Sequence, residues 1–173
     1  MKNIVLIGFA GCGKSSTGRK AAKALGLPFF DSDLEIEKEQ GISITEIFET
    51  KGAAAFRTLE TEMMAKLAQK PQCIIATGGG VVTIAQNMQI LKQNGIVIYM
   101  QATPEKILAN IGQNTSRPLL QTEDKEGAVR KLMAERLPLY AQYADVTIDT
   151  TSLTLKSCTD SLVKAIRSII SST

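Results

Sequence analysis

The chain has no histidine. That removes His-based catalytic triads and His-ligated metals, and it leaves carboxylates, lysines and arginines to carry any chemistry. Cysteine is scarce: Cys12, Cys73 and Cys158 make an odd count without a C-x-x-C pair, so neither a zinc site nor a disulfide framework is indicated. No apolar run approaches a membrane span, and the N-terminal one is too short for the hydrophobic stretch of a signal peptide. There is also no basic block, linker, internal repeat or low-complexity tract, and the formal charge of +3 is mild. Nucleic acid and membrane are therefore not expected partners, and a cytoplasmic monomer is expected. What is present is ordinary for a globular protein. The 173 residues, 44% hydrophobic and 21% charged, suit one domain over 1–173 with a substantial core.

Against that background one segment is informative. Gly8-Phe9-Ala10-Gly11-Cys12-Gly13-Lys14-Ser15 fits G-x-x-x-x-G-K-[ST] and directly follows the apolar run Ile4–Ile7. A phosphate-binding loop needs a buried strand that ends, backbone N–H groups that wrap an anion, and a helix that starts there. Glycine allows the close approach and the positive φ, and the helix aims its positive end at the phosphates. Gly11, Cys12, Gly13, Lys14, Ser15 and Ser16 are thus candidate contacts for ATP. Lys14 would supply a mobile cation to the β- and γ-phosphates, and Ser15 Oγ would be a ligand for Mg²⁺. Cys12 has two readings: a thiol sensitised by an anion-favouring loop, or a small side chain filling an unconstrained position.

Strand-like runs at Ile4–Ile7, Phe29–Phe30, Cys73–Thr77, Ile96–Met100 and Val146–Ile148 alternate with helical patterns, which points to a parallel sheet covered on both faces. Gly26 should stop the first helix, and Ser43–Glu46 reads as a capping box. A helix is expected over Ala54–Ala68 with Phe56, Leu59, Met63 and Leu67 on one face, and another over Leu153–Ile170 closing against the sheet. The polar stretch Gly112–Pro118 carries a single arginine, Arg117. It reads either as a lid that closes over a nucleotide or as a plain surface loop.

Four further features bear on chemistry. Asp31-Ser32-Asp33 ends the second strand, at the sheet edge where open α/β folds place ligands. Two carboxylates one residue apart in an extended chain would point to different partners: Asp31 to Mg²⁺ through water, Asp33 to an acceptor hydroxyl. Helix capping is the competing role for Asp31 and Ser32. Thr77-Gly78-Gly79-Gly80 ends the third strand and permits close approach to the backbone, or is merely a tight turn. Arg136 falls within the apolar stripe Val129, Leu132, Tyr140 and Tyr143, so it needs an anion, either an internal carboxylate or a ligand; Pro138 should kink the helix just beyond it. Arg57 lies one turn from Glu60, in an exposed i,i+3 pair or as the second arm of a carboxylate clamp.

In order and spacing, Gly8–Ser15, Asp31-Ser32-Asp33, Phe56-Arg57 with Glu60, Ala76–Gly80, Arg117-Pro118-Leu119-Leu120 and Arg136 with Leu139-Tyr140 resemble the shikimate kinase family over nearly the whole chain. The resemblance implies a three-layer α/β/α P-loop kinase fold, its five-stranded parallel sheet in the order 2-3-1-4-5. It also implies a substrate-binding region at about 33–61 and a lid at about 112–124. By the same resemblance ATP phosphorylates the 3-hydroxyl of shikimate, with Asp33, Lys14 and Arg117 catalytic. Asp33, Arg57, Gly79 and Arg136 would bind shikimate, Arg117 would touch ATP, and Ser15 with Asp31 would organise Mg²⁺. Two departures stand out. Ala53 replaces the family's usual Glu, and Asn110 stands near where a basic residue usually lies against adenine, so altered Michaelis constants are expected. Competing readings are another small-molecule P-loop kinase, acting on gluconate or a nucleoside monophosphate, and a non-catalytic nucleotide-binding relative. A switch GTPase is disfavoured because Asn-Lys-x-Asp is absent.

Overall fold

β1 (Asn3–Ile7) is buried at every position, so its sequence is a near-continuous apolar run rather than an alternating one. It is the centre of a parallel sheet whose other strands are β2 (Phe29–Asp31), β3 (Ile74–Ala76), β4 (Gly95–Gln101) and β5 (Val146–Asp149). The strand order is β2-β3-β1-β4-β5, as expected. Leu6 aligns with Ala76 on one side and Ile98 on the other, which brings the loops after β1 and β3 out of the sheet side by side. Asn3 pins the opposite end: its Oδ1 accepts from Cys73 N at 3.1 Å and its Nδ2 donates to Lys70 O at 2.8 Å. The computed structural model describes residues 1–111 and 123–173. Arg117 and nearly all of the expected lid at about 112–124 lie outside the described residues.

Eight α-helices among the described residues accompany the sheet: α1 (Lys14–Leu25), α2 (Ser32–Gln40), α3 (Ile44–Lys51), α4 (Ala53–Ala68), α5 (Ala85–Gln93), α6 (Pro104–Ile111), α7 (Lys125–Tyr143) and α8 (Leu155–Ser171). α1 ends at Gly26, whose φ of 67° is the left-handed conformation glycine adopts without penalty. It lies close on the sheet because Gly18 has no side chain: a Cβ there would sit 2.8 Å from Leu6 Cδ1 and from Phe29 Cε2.

Two expectations need correcting. α8 packs closely against α1, burying Leu162 and Ile166, but Leu155, which the apolar pattern of that segment would place inside, is exposed at its first turn. In α4 the buried face holds Phe56, Met63 and Leu67 as expected, but Leu59 is half-buried and Glu60 is buried in its place. α7 runs as one helix through Pro138, with Arg136 and Tyr140 both buried. The Tyr140 ring stacks on Tyr99, 5.1 Å between ring centres. Ser43 Oγ does accept from Glu46 N, giving half of the expected box, whereas a full box forms unannounced between Thr154 and Ser157 at the start of α8.

Candidate active site

The turn from β1 into α1 has the backbone its sequence requires. Gly8, Gly11 and Gly13 take φ of 152°, 87° and 89°, values that a side chain would strain. Lys14, the first residue of α1, is 7% exposed, and its Nζ donates to the carbonyls of Gly8 and Phe9 at 2.5 and 3.2 Å. The cation therefore lies across the loop, where a polyphosphate's charge would draw it. Cys12 is buried, with Sγ 3.7 Å from Lys14 Nζ, and it fills space that a Cβ on Gly8 would claim. Ser15 and Ser16 open α1 on the cleft side.

Asp31 takes the capping role. Oδ1 caps α2, accepting from Asp33 N at 3.0 Å and Leu34 N at 3.2 Å, while Oδ2 accepts from Ser15 Oγ. Strand alternation does not set Asp31 and Asp33 apart. Asp31 is the last residue of β2 and Asp33 already belongs to the first turn of α2. The junction, not an extended chain, separates them.

Gly78-Gly79-Gly80 form a turn in which Val81 N donates to Gly78 O at 3.1 Å. None of the three has positive φ, so their missing side chains matter for space instead. A Cβ on Gly78 would lie 2.9 Å from Asp33 Oδ1 and 3.1 Å from Glu60 Oε2; one on Gly79 would lie 3.4 Å from Arg136 Nη1; one on Gly80 would lie 2.5 Å from Arg57 Nη2. Two carboxylates and two guanidiniums thus close on three successive backbone positions. Arg57 pairs with Glu60 at 2.7 Å as the i,i+3 spacing suggested, yet this is no surface pair, because the glutamate is wholly buried. Glu60 Oε2 has no hydrogen-bond partner among the described residues. Burial pushes its carboxyl above the ordinary value, against the pull of Arg57 and then of Arg136. Arg136 is 7% exposed, lies 5.8 Å over the Phe9 ring, and joins none of the ion pairs among the described residues. Among the described residues, then, it makes no internal salt bridge.

One open cleft of about 820 Å³ takes in both groups, Lys14, Ser15 and Asp31 together with Asp33, Arg57, Glu60, Gly79 and Arg136. Every expected site residue among the described residues lines it; Arg117 is outside them. Such an arrangement can seat a polyphosphate against a small acid bearing a hydroxyl. Three contributors escaped the sequence reading. Glu60 sits in the buried stripe of α4, and the argument applied to Arg136 would have found it. Tyr140 was assigned to the core alone, but its hydroxyl donates to Gly79 O at 2.5 Å. Asn110 donates to Gly11 O at 2.8 Å, and nothing in its local sequence signals that contact.

The comparisons with known proteins agree with this geometry. The shikimate kinase family model matches residues 10–167. A shikimate kinase of Thermodesulfovibrio yellowstonii is 44% identical, over 95% of this chain and 94% of that protein. Among solved structures, a shikimate kinase from Acinetobacter baumannii in complex with shikimate superposes with a TM-score of 0.93 at 40% identity, covering 97% of this chain and 94% of that one. A gluconokinase from Sinorhizobium meliloti reaches a TM-score of only 0.57 at 12% identity, a likeness of fold alone. With phosphate loop, glycine turn and arginines in one cleft, and similarity running nearly end to end, the chain belongs to the shikimate kinase family.

Proposed function

We infer that this protein transfers the terminal phosphoryl group of ATP to the 3-hydroxyl of shikimate, giving shikimate 3-phosphate and ADP on the route to chorismate and the aromatic amino acids. The observation that carries the reading is the pair Arg57 and Arg136 converging on the glycine turn beside Asp33, in the same cleft as the phosphate loop. Two forked guanidiniums suit a ring carboxylate, which each can grip with parallel hydrogen bonds. Asp33 accepts the proton of the attacking hydroxyl, and the backbone of Gly79 meets the substrate. The N–H groups of Gly11, Gly13, Lys14, Ser15 and Ser16 cradle the phosphates of ATP, while Cys12, whose N–H donates to Phe9 O, lines the loop beside them. Lys14 and Arg117 balance the charge that spreads over the transferring group, since positioning and electrostatics supply most of the acceleration in phosphoryl transfer.

Mg²⁺ fits the donor end. Ser15 Oγ and an Asp31 oxygen already touch, and among the described residues no cluster of three or more metal-ligating side chains occurs. That sparse set suits an ion that keeps most of its water and binds through one or two protein oxygens and the nucleotide. Asp31 would hold it through water, and the ion would neutralise charge on the β- and γ-phosphates. One chain supplies both ends of the cleft, so a monomer is sufficient, and the demand for ATP suits the cytoplasm. The test is an ADP-release assay with shikimate, gluconate, nucleoside monophosphates or no acceptor. Release is expected with shikimate alone. Equal release with gluconate or a nucleotide would assign the protein to another small-molecule kinase activity, and none with any acceptor would make it a non-catalytic relative.

A further inference from the structure

The contact between Asn110 and the phosphate loop has no part in the chemistry above. Asn110 Nδ2 donates to Gly11 O at 2.8 Å, joining the last turn of α6 to the crest of the loop across 99 residues of sequence. The next residue, Ile111, is buried, and its Cγ1 lies 2.9 Å from where a Cβ on Gly11 would be. Gly11 is therefore pressed by Ile111 on one side and held by its carbonyl on another. The peptide group that carries that carbonyl also carries the N–H of Cys12, which donates to Phe9 O at 3.1 Å. A trans peptide is planar, so fixing both of its polar groups fixes the plane. This matters most where the chain is otherwise loosest: Gly11 borders the plane, Gly13 follows one residue on, and glycine forfeits the most backbone freedom on ordering.

We propose that Asn110 is a positioning residue for nucleotide binding, setting the shape of the phosphate loop before the polyphosphate arrives. The proposal rests on the reading of residues 8–15 as the nucleotide loop. The entropy of ordering the crest is spent on folding, so less is lost on binding. Asn110 is exposed and Ile111 anchors α6 without it, so loss of the amide should not destabilise the fold.

The test measures ADP binding by calorimetry, the unliganded melting temperature, and KM for ATP and shikimate in the wild type, Asn110→Ala, Asn110→Asp and Lys14→Ala. Asn110→Ala is expected to weaken ADP and raise the KM for ATP about three- to tenfold, the usual worth of one hydrogen bond, with kcat, shikimate KM and melting temperature unmoved. Asn110→Asp keeps the shape but faces Gly11 O with a carboxylate and should lose more. Wild-type ADP affinity in Asn110→Ala overturns the proposal, as does a loss accompanied by an equal change in shikimate KM or a lower melting temperature. Full ADP affinity in Lys14→Ala would overturn the loop reading itself, a separate result.

Discussion

Asp33 and Glu60 are two carboxylates beside one glycine, Gly78, and their surroundings divide their tasks. Asp33 lines the cleft from the first turn of α2. Asp33→Asn should lower turnover about 10²- to 10⁴-fold, the range for a general base, while the KM for ATP stays near wild type. Wild-type turnover in that variant would free Asp33 of the role. Glu60 is deeper, paired on one oxygen by Arg57, with burial outweighing that pairing and holding its carboxyl above 4.5. A group whose folded value is raised adds stability that is complete below its unfolded value and is lost as pH rises through the folded one. Glu60→Gln keeps the buried shape and abolishes the titration. Its melting temperature relative to wild type should therefore climb as pH goes from about 4.5 towards neutrality. A difference that stays flat over that range would mean that Arg57 keeps Glu60 fully ionised. Glu60 also marks a limit of pattern reading: a glutamate three residues from an arginine on a helix looks like a surface pair, and only α4's packing tells otherwise.

At the level of elements, α7 and the glycine turn act as one unit. Arg136 and Tyr140 are one helical turn apart, and both reach Gly79, the first with a guanidinium nitrogen and the second with its hydroxyl. The Tyr140 hydroxyl is held far above its ordinary value by burial, so it remains a donor throughout the working range. Tyr140→Phe removes that donor from the half-buried Gly79 carbonyl, a cost of about 1 kcal/mol. The expected result is a lower melting temperature together with a raised shikimate KM, while the KM for ATP holds. A melting change without any KM change would reduce Tyr140 to packing. Much of this level was readable in the sequence. Buried parallel strands are written as unbroken apolar runs, and Gly26 ends α1 for a reason local to it. What was not readable depends on contacts distant in sequence: α8 lies against α1, and the Tyr140 ring of α7 stacks on Tyr99 of β4.

For the whole molecule, the decisive quantity is the cation that folding hides. Arg136 is nearly out of water, faces an aromatic ring and joins no ion pair among the described residues, so folding pays to desolvate it without full return. An apolar side chain of similar length removes the desolvation cost of a buried charge that has no ion-pair partner. Arg136→Met should therefore melt no lower than wild type when unliganded. An acid that fills the clamp would repay the desolvation in the wild type alone. At 100 times its dissociation constant shikimate should contribute about 2.7 kcal/mol, or roughly 5–10 °C in melting temperature for a chain of this length. Arg136→Met should lose that shift yet keep the one given by ADP, whose phosphates the loop of residues 8–15 would hold. If unliganded Arg136→Met melted several degrees lower, the arginine would be there to hold the fold. If it kept the shikimate shift, the acid would be gripped elsewhere. Stability that rises as the acceptor is lost would be the mark of a residue kept for its ligand.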